Sequence, residues 1–150
     1  MNKDDFKMMQ QDRVFIITGP PGAGKTTYAR SHAGPGDIVI DVDYLAAALK
    51  LTGNIPADYT DVLSVVVFIR DALIKAISTN QLTYGRAFIV TTQHAKRIQD
   101  QTGGKIITID PGAEETFRRI EADQTRGPEQ QRRRKDVALK YYYSKQGKKR

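Results

Sequence analysis

Short apolar runs ending in a turn or a polar residue recur along the chain, separated by longer stretches with apolar positions three and four apart. Val14-Phe15-Ile16-Ile17, ahead of Thr18 and Gly19, reads as a buried strand over 13–18. Ile38-Val39-Ile40, between Asp37 and Asp41, predicts a second strand over 37–41. Comparable runs predict a third over 87–91 and a fourth over 105–109. Between the strands lie predicted helices. One begins after Gly24, and a short one over 43–51 starts at a capping Asp43 and runs through three alanines. A long one over 60–79 carries Val62, Val65, Val66, Ile69, Leu73 and Ile77 on a core-facing stripe. A short helix over 95–102 closes on Gly103 and Gly104, and two more, over 111–123 and 128–143, each open on proline.

Strands alternating with helices predict an α/β fold with a parallel sheet of about four strands covered on both faces, a three-layer sandwich. Ligands of such sheets bind at the carboxyl ends of the strands, where Gly19, Asp41, Thr92 and Asp110 all fall. Residues 1–12 read as a loose arm or a short helix, and 144–150 as a frayed basic tail. At 150 residues and 39% hydrophobic content, the chain suits one domain over 1–150 with a single core.

Chemistry enters with Gly19-Pro20-Pro21-Gly22-Ala23-Gly24-Lys25-Thr26, which fits G-x-x-x-x-G-K-[ST] between a strand and a helix. Backbone N–H groups in the first turn of a helix have no partner within it, and the helix dipole adds partial positive charge there. Phosphate oxygens satisfy both. Pro20 and Pro21 lack an N–H, so the donors fall to Gly22, Ala23, Gly24, Lys25, Thr26 and Thr27. Lys25 is expected to reach the β- and γ-phosphates of a nucleotide, and the Thr26 hydroxyl to ligate Mg²⁺.

Charge changes the picture at one end. The chain carries +7, yet residues 118–150 hold twelve Lys and Arg against four Asp and Glu, so the rest is close to neutral. A localised basic surface attracts polyanions, and nucleic acid is the expected partner; a solvated helix face with a basic tail is the plainer reading. The absence of cysteine excludes disulfides, zinc–thiolate sites and thiol nucleophiles. No apolar run reaches the length of a membrane span, and the start at Met1 is polar with no signal-peptide core. A cytoplasmic setting is therefore expected.

Asp41-Val42-Asp43 sits at the end of the second predicted strand, beside the phosphate loop. A carboxylate there suits either acceptance of a substrate hydroxyl's proton or a hold on Mg²⁺. Asp43 also suits a plain N-cap, and Asp41 a partner for loop N–H groups. Arg126, before Gly127 and Pro128, lies on a hinged connection from which an arginine can swing over transferring phosphates. The cluster Arg132-Arg133-Arg134-Lys135 reads mainly as a solvated helix face. His94 reads as a surface or capping residue. Tyr141, Tyr142 and Tyr143 are expected to pack the last helix on the body with one ring exposed, stacking on bases being the alternative.

With loop, Asp-x-Asp strand end and arginine connection in place, the chain resembles the small P-loop kinases. The likeness is greatest to the 5′-hydroxyl kinase domain of phage polynucleotide kinases and related small phage ATP-binding proteins, and it runs from about Val14 to Tyr143. The resemblance implies a P-loop NTPase fold with an arginine-bearing helical lid and transfer of the γ-phosphoryl of ATP, with Mg²⁺, to a hydroxyl. It further implies phosphate and metal contacts from Lys25 and Thr26; Asp41, by its place at the strand end, is the expected second metal-side residue. Asp43, or else Asp41, would be the base, and Arg126 the lid arginine. Polynucleotide kinases usually carry an arginine shortly after that aspartate, where this chain has Leu45 and the alanines 46–48; Thr91 and Thr92 stand where the family often has an acidic residue. The expected acceptor is a polynucleotide 5′-hydroxyl. A small-molecule kinase, for a nucleoside or sugar, and a non-catalytic module binding ATP and nucleic acid are the alternatives.

Overall fold

A computed structural model describes residues 1–147, with side chains through Ser144. The elements run α1 (Lys3–Gln10), β1 (Val14–Thr18), α2 (Lys25–His32), β2 (Ile38–Ile40), α3 (Val42–Lys50), α4 (Leu63–Ser78), β3 (Ala87–Thr91), α5 (Ala95–Thr102), β4 (Lys105–Thr108), α6 (Ala113–Ala122) and α7 (Pro128–Gly147). The strands form one parallel sheet in the order β2-β3-β1-β4. Ile16 lies opposite both Ile89 and Ile106, and Ile38 opposite Ala87. A parallel pairing of sequence neighbours needs a crossover, and the intervening helices supply it.

Side chains alternate across the sheet, so each buried strand feeds two cores. Val14, Ile16, Ile40, Ala87 and Ile89 pack on one face with Ile74 and Ile77 of α4 and Ile98 of α5. Ile17, Phe88 and Val90 pack on the other with Ala29 of α2. That is the expected three-layer sandwich, and it buries β1 and β3 on both faces. Helices α6 and α7 pair above the carboxyl ends of the strands, with Tyr142 Oη bonded to Asp110 Oδ1 and Thr116 Oγ1, both at 2.8 Å.

Several boundaries differ from the sequence reading, each for a local reason. The start of the chain is the short helix rather than the loose arm: Asn2 caps α1 by accepting from the Asp5 N–H at 2.8 Å, and Gln10 is fully buried. The strands are shorter by a residue at one or both ends, except β3. Residues 60–62 form a 3₁₀ turn, so α4 starts at Leu63 with a different phase. Val65 is consequently 48% exposed, and the buried stripe is Val66, Ile74 and Ile77. Pro111 lies outside α6, because Gly112 at the cap position has φ +98° and ψ 159°. Helix α7 begins at Pro128 as expected but continues past Tyr143 to Gly147. Of the expected frayed tail, 148–150 lie outside the described residues. Among the described residues no helix is long and apolar enough to cross a membrane.

Candidate active site

Local backbone geometry builds the phosphate loop. Gly19 has φ +154°, and a Cβ there would lie 1.9 Å from the Ile109 carbonyl oxygen, so only glycine fits beside the end of β4. Gly24, at φ +98°, occupies the N-cap of α2 and has no side chain to satisfy the first-turn N–H groups. Those donors stay available to an anion. Lys25 folds back over the loop, and its Nζ donates to Gly19 O at 2.7 Å, Pro20 O at 2.8 Å and Thr92 Oγ1 at 2.9 Å. The residue is only 8% exposed. Burial pulls its pKa down to about 8, against the opposing pull of Asp41 and Asp43, with the Arg134 charge adding to the depression.

Thr26 and Asp41 meet next to it. Thr26 Oγ1 donates to Asp41 Oδ2 at 2.5 Å, while Asp41 Oδ1 accepts from the Asp43 N–H at 2.9 Å. Asp41, not Asp43, is thus the N-cap of α3, which corrects the sequence reading. The reason is that only Asp41 separates the end of β2 at Ile40 from the start of α3 at Val42, so the cap falls on it. Burial, helped by the Asp43 charge, raises the Asp41 pKa against the Thr26 bond. Hydroxyl and carboxylate oxygens at this spacing are hard donors that fit Mg²⁺, which binds through one or two carboxylates, phosphate oxygens and water.

With the cap assigned to Asp41, the Asp43 carboxylate is released for other contacts. Its Oδ1 accepts from Tyr59 Oη, and its Oδ2 from Arg126 Nη2 at 3.2 Å. Burial foremost, then the Asp43 charge, pushes the Tyr59 phenol up, so it remains a donor. Arg126 therefore rests on Asp43, not over the glycine-rich loop. Two other arginines face that loop. Arg119 Nη1 donates to Gly22 O at 3.3 Å and Ala23 O at 3.2 Å. Arg134, whose Nη2 would lie 3.5 Å from a Cβ on Gly22, also donates through Nη1 to Asp123 Oδ2 at 2.9 Å. Burial works against the Asp123 carboxylate, but bonds from Thr125 and Arg134 outweigh it and hold its pKa low.

Sequence reasoning missed Arg119, Arg134, Tyr59 and the Lys25–Thr92 bond. Arg134 was legible in principle. Gln130 and Ala138, one turn to either side of it, are both buried, so Arg134 shares the inward face of α7 while Arg132 and Arg133 are exposed. Tyr59 carries no such signal, because it lies in a loop before a 3₁₀ turn. Among the strand-end residues, Gly19, Asp41 and Thr92 converge on Lys25 and Thr26. Asp110 instead bonds Tyr142 and the Gly112 N–H. His94 stands at the cap position of α5 with φ +65° but forms no capping bond. Tyr143 is the exposed ring of the triplet, at 78%. A cavity of about 410 Å³ opens beside Thr92, walled by Gln93, His94, Val137, Lys140 and Tyr141.

The architecture that carries this site is shared with known proteins. The family model described as AAA domain matches residues 14–139. The chain belongs to this AAA domain family. Its P-loop lies inside the matched span, as do Asp41, Asp43, Arg119, Arg126 and Arg134. Among solved structures this AAA domain is similar to a chain of the Pnkp1/Rnl/Hen1 RNA repair complex, with a TM-score of 0.61 and 16% identity. The match covers 92% of this chain and 46% of that one, so this chain spans about half the length of its neighbour. At that identity the likeness shows the fold, a P-loop NTPase fold. No curated protein matches the chain.

Proposed function

We propose that this chain is an ATP-dependent P-loop kinase, organised as one domain over 1–150, and that its acceptor is the 5′-hydroxyl end of a polynucleotide. The carrying observation is the juxtaposition of the phosphate loop, the Thr26–Asp41 oxygen pair and Asp43. The N–H groups of Gly22, Ala23, Gly24, Lys25, Thr26 and Thr27 cradle the phosphates, and Lys25 exchanges its loop carbonyls for phosphate oxygens. Thr26 and Asp41 would hold Mg²⁺, which when bound would neutralise charge on the phosphates. Asp43 accepts the proton of the acceptor hydroxyl as its oxygen bonds to the γ-phosphorus. The bond from that phosphorus to the β-bridging oxygen then breaks, and the electron pair leaves with ADP. Arg126, with Arg119 and Arg134, offsets negative charge on the transferring group.

Three features support a polynucleotide acceptor. The basic residues concentrate on α7, which has six Lys and Arg against two Asp and Glu, and the cavity beside Thr92 carries Lys140 and Tyr141, a charge and a ring suited to a phosphate and a base. The structural neighbour belongs to an RNA repair complex. The test is transfer of labelled γ-phosphate with Mg²⁺ to 5′-hydroxyl and 5′-phosphorylated oligonucleotides, with Asp43→Asn as control. Label on the 5′-hydroxyl strand alone, lost in the variant, and a KM that climbs with salt support the reading. Nucleotide binding without transfer to any hydroxyl overturns it.

A further inference from the structure

Arg126 is held in an unusual way for a residue that is to meet phosphate. Its side chain is 9% exposed. A guanidinium has five N–H donors. Here Nη2 bonds Asp43 Oδ2 at 3.2 Å, Nε lies 3.8 Å from Asp123 Oδ2, and Nε and Nη1 are buried without a hydrogen-bond partner. Such a group is costly to keep, and an arriving polyphosphate offers the acceptor oxygens it lacks. The connection is tied down too: the Gly127 N–H donates to Ala57 O at 3.0 Å, docking the start of α7 on the loop that carries Tyr59.

Asp43 is equally committed. Both of its carboxylate oxygens are taken, one by Tyr59 and one by Arg126. Tyr59 is fixed, because its ring is buried with Ala46 and Val66 between α3 and α4. Arg126 is instead the movable partner, since its long side chain can change rotamer without moving the anchored Gly127 backbone. The free chain thus keeps its acceptor-side base and one of its phosphate-side cations paired with each other.

We propose that the Asp43–Arg126 pair is a latch that nucleotide opens: the phosphates draw Arg126 off Asp43, the vacated Oδ2 receives the acceptor hydroxyl, and Tyr59 keeps Oδ1 in place as a positioning residue. The assignment of Asp43 as base rests on the kinase reading above; the coupling of the latch to nucleotide affinity does not. Nucleotide therefore binds before the acceptor. Part of the nucleotide's binding free energy is spent in separating the pair, which lowers its apparent affinity.

The experiment is a double-mutant cycle on the affinity of a non-hydrolysable ATP analogue with Mg²⁺, measured calorimetrically for the full chain. Asp43→Asn releases Arg126, so the analogue binds about three- to tenfold more tightly than to the parent. In an Arg126→Gln background the same change gives no gain. A gain that persists there reflects simple repulsion between Asp43 and the phosphates and overturns the latch. Should Arg126→Gln fail to fold, Arg126→Lys, which keeps the charge and loses the fork, takes its place with the gain reduced. Tyr59→Phe retains the buried ring; it should lower kcat at least several-fold while leaving KM for ATP unchanged, and an unchanged kcat removes Tyr59 from the proposal. Coupling without any phosphoryl transfer leaves the latch standing and sinks the kinase reading. Transfer without coupling does the reverse.

Discussion

Replacing Lys25 with methionine keeps most of the side chain's length and apolar body but removes the charge buried over the phosphate loop. In the parent, burial holds the Lys25 pKa at about 8 instead of 10.5. Unfolded, the lysine keeps its proton up to its ordinary pKa; folded, it has lost it by then. The unfolded chain therefore binds more protons between the two values, so stability rises with pH across that window. At about 1.4 kcal/mol per pH unit, the full effect is about 3 kcal/mol, of which about 2 kcal/mol appears between about pH 7 and about pH 9.5. The rest of the chain also responds to pH, so the quantity to measure is a difference. Urea denaturation of parent and Lys25→Met at both pH values isolates the Lys25 contribution, since the remaining groups cancel. The parent should gain about 2 kcal/mol more than the variant. Bound phosphates reverse the sign, because an adjacent anion favours the charged amine. ATP affinity of the parent should then weaken by up to about tenfold per pH unit above about pH 8, while Lys25→Met binds weakly throughout. Parallel pH dependences of stability in the two proteins would refute the claim that the buried ammonium destabilises the free fold.

Asp41→Asn preserves an N-cap and an acceptor for Thr26, so the fold should hold; the variant should need about tenfold more Mg²⁺ for transfer. Because burial raises the Asp41 pKa, its ionised form costs stability as pH rises above the ordinary carboxylate range, and the variant should be no less stable than the parent at neutral pH. An unchanged Mg²⁺ requirement would remove Asp41 from the metal side. Gly19→Ala drives a Cβ into the Ile109 carbonyl and should cost on the order of 3 kcal/mol, read as a lowered denaturation midpoint. A midpoint equal to the parent's would contradict the close approach of loop and β4.

Much of the architecture is local in origin and could be read without coordinates. An unbroken apolar run makes 87–91 a strand buried on both faces, and Gly103 ends α5 because it accepts φ +76° at no steric cost. The glycine spacing around Lys25 specifies a loop and an uncapped helix start from backbone preferences alone. The sequence by itself also concentrated positive charge in the last third. It could not say which arginine of that third faces phosphate. Arg119, Arg126 and Arg134 have similar chemistry, and their distances from the loop depend on the phase of α6 and α7 and on Asp123, which bridges the start of α7. Nor could it choose the cap of α3, where one residue of shift moves the capping duty from Asp43 to Asp41. The Asp43–Tyr59–Arg126 cluster joins a helix, a loop and a hinge far apart in the chain. Such contacts arise only when the packed sheet sets the distances between elements, because no pattern along the chain encodes how separate segments meet.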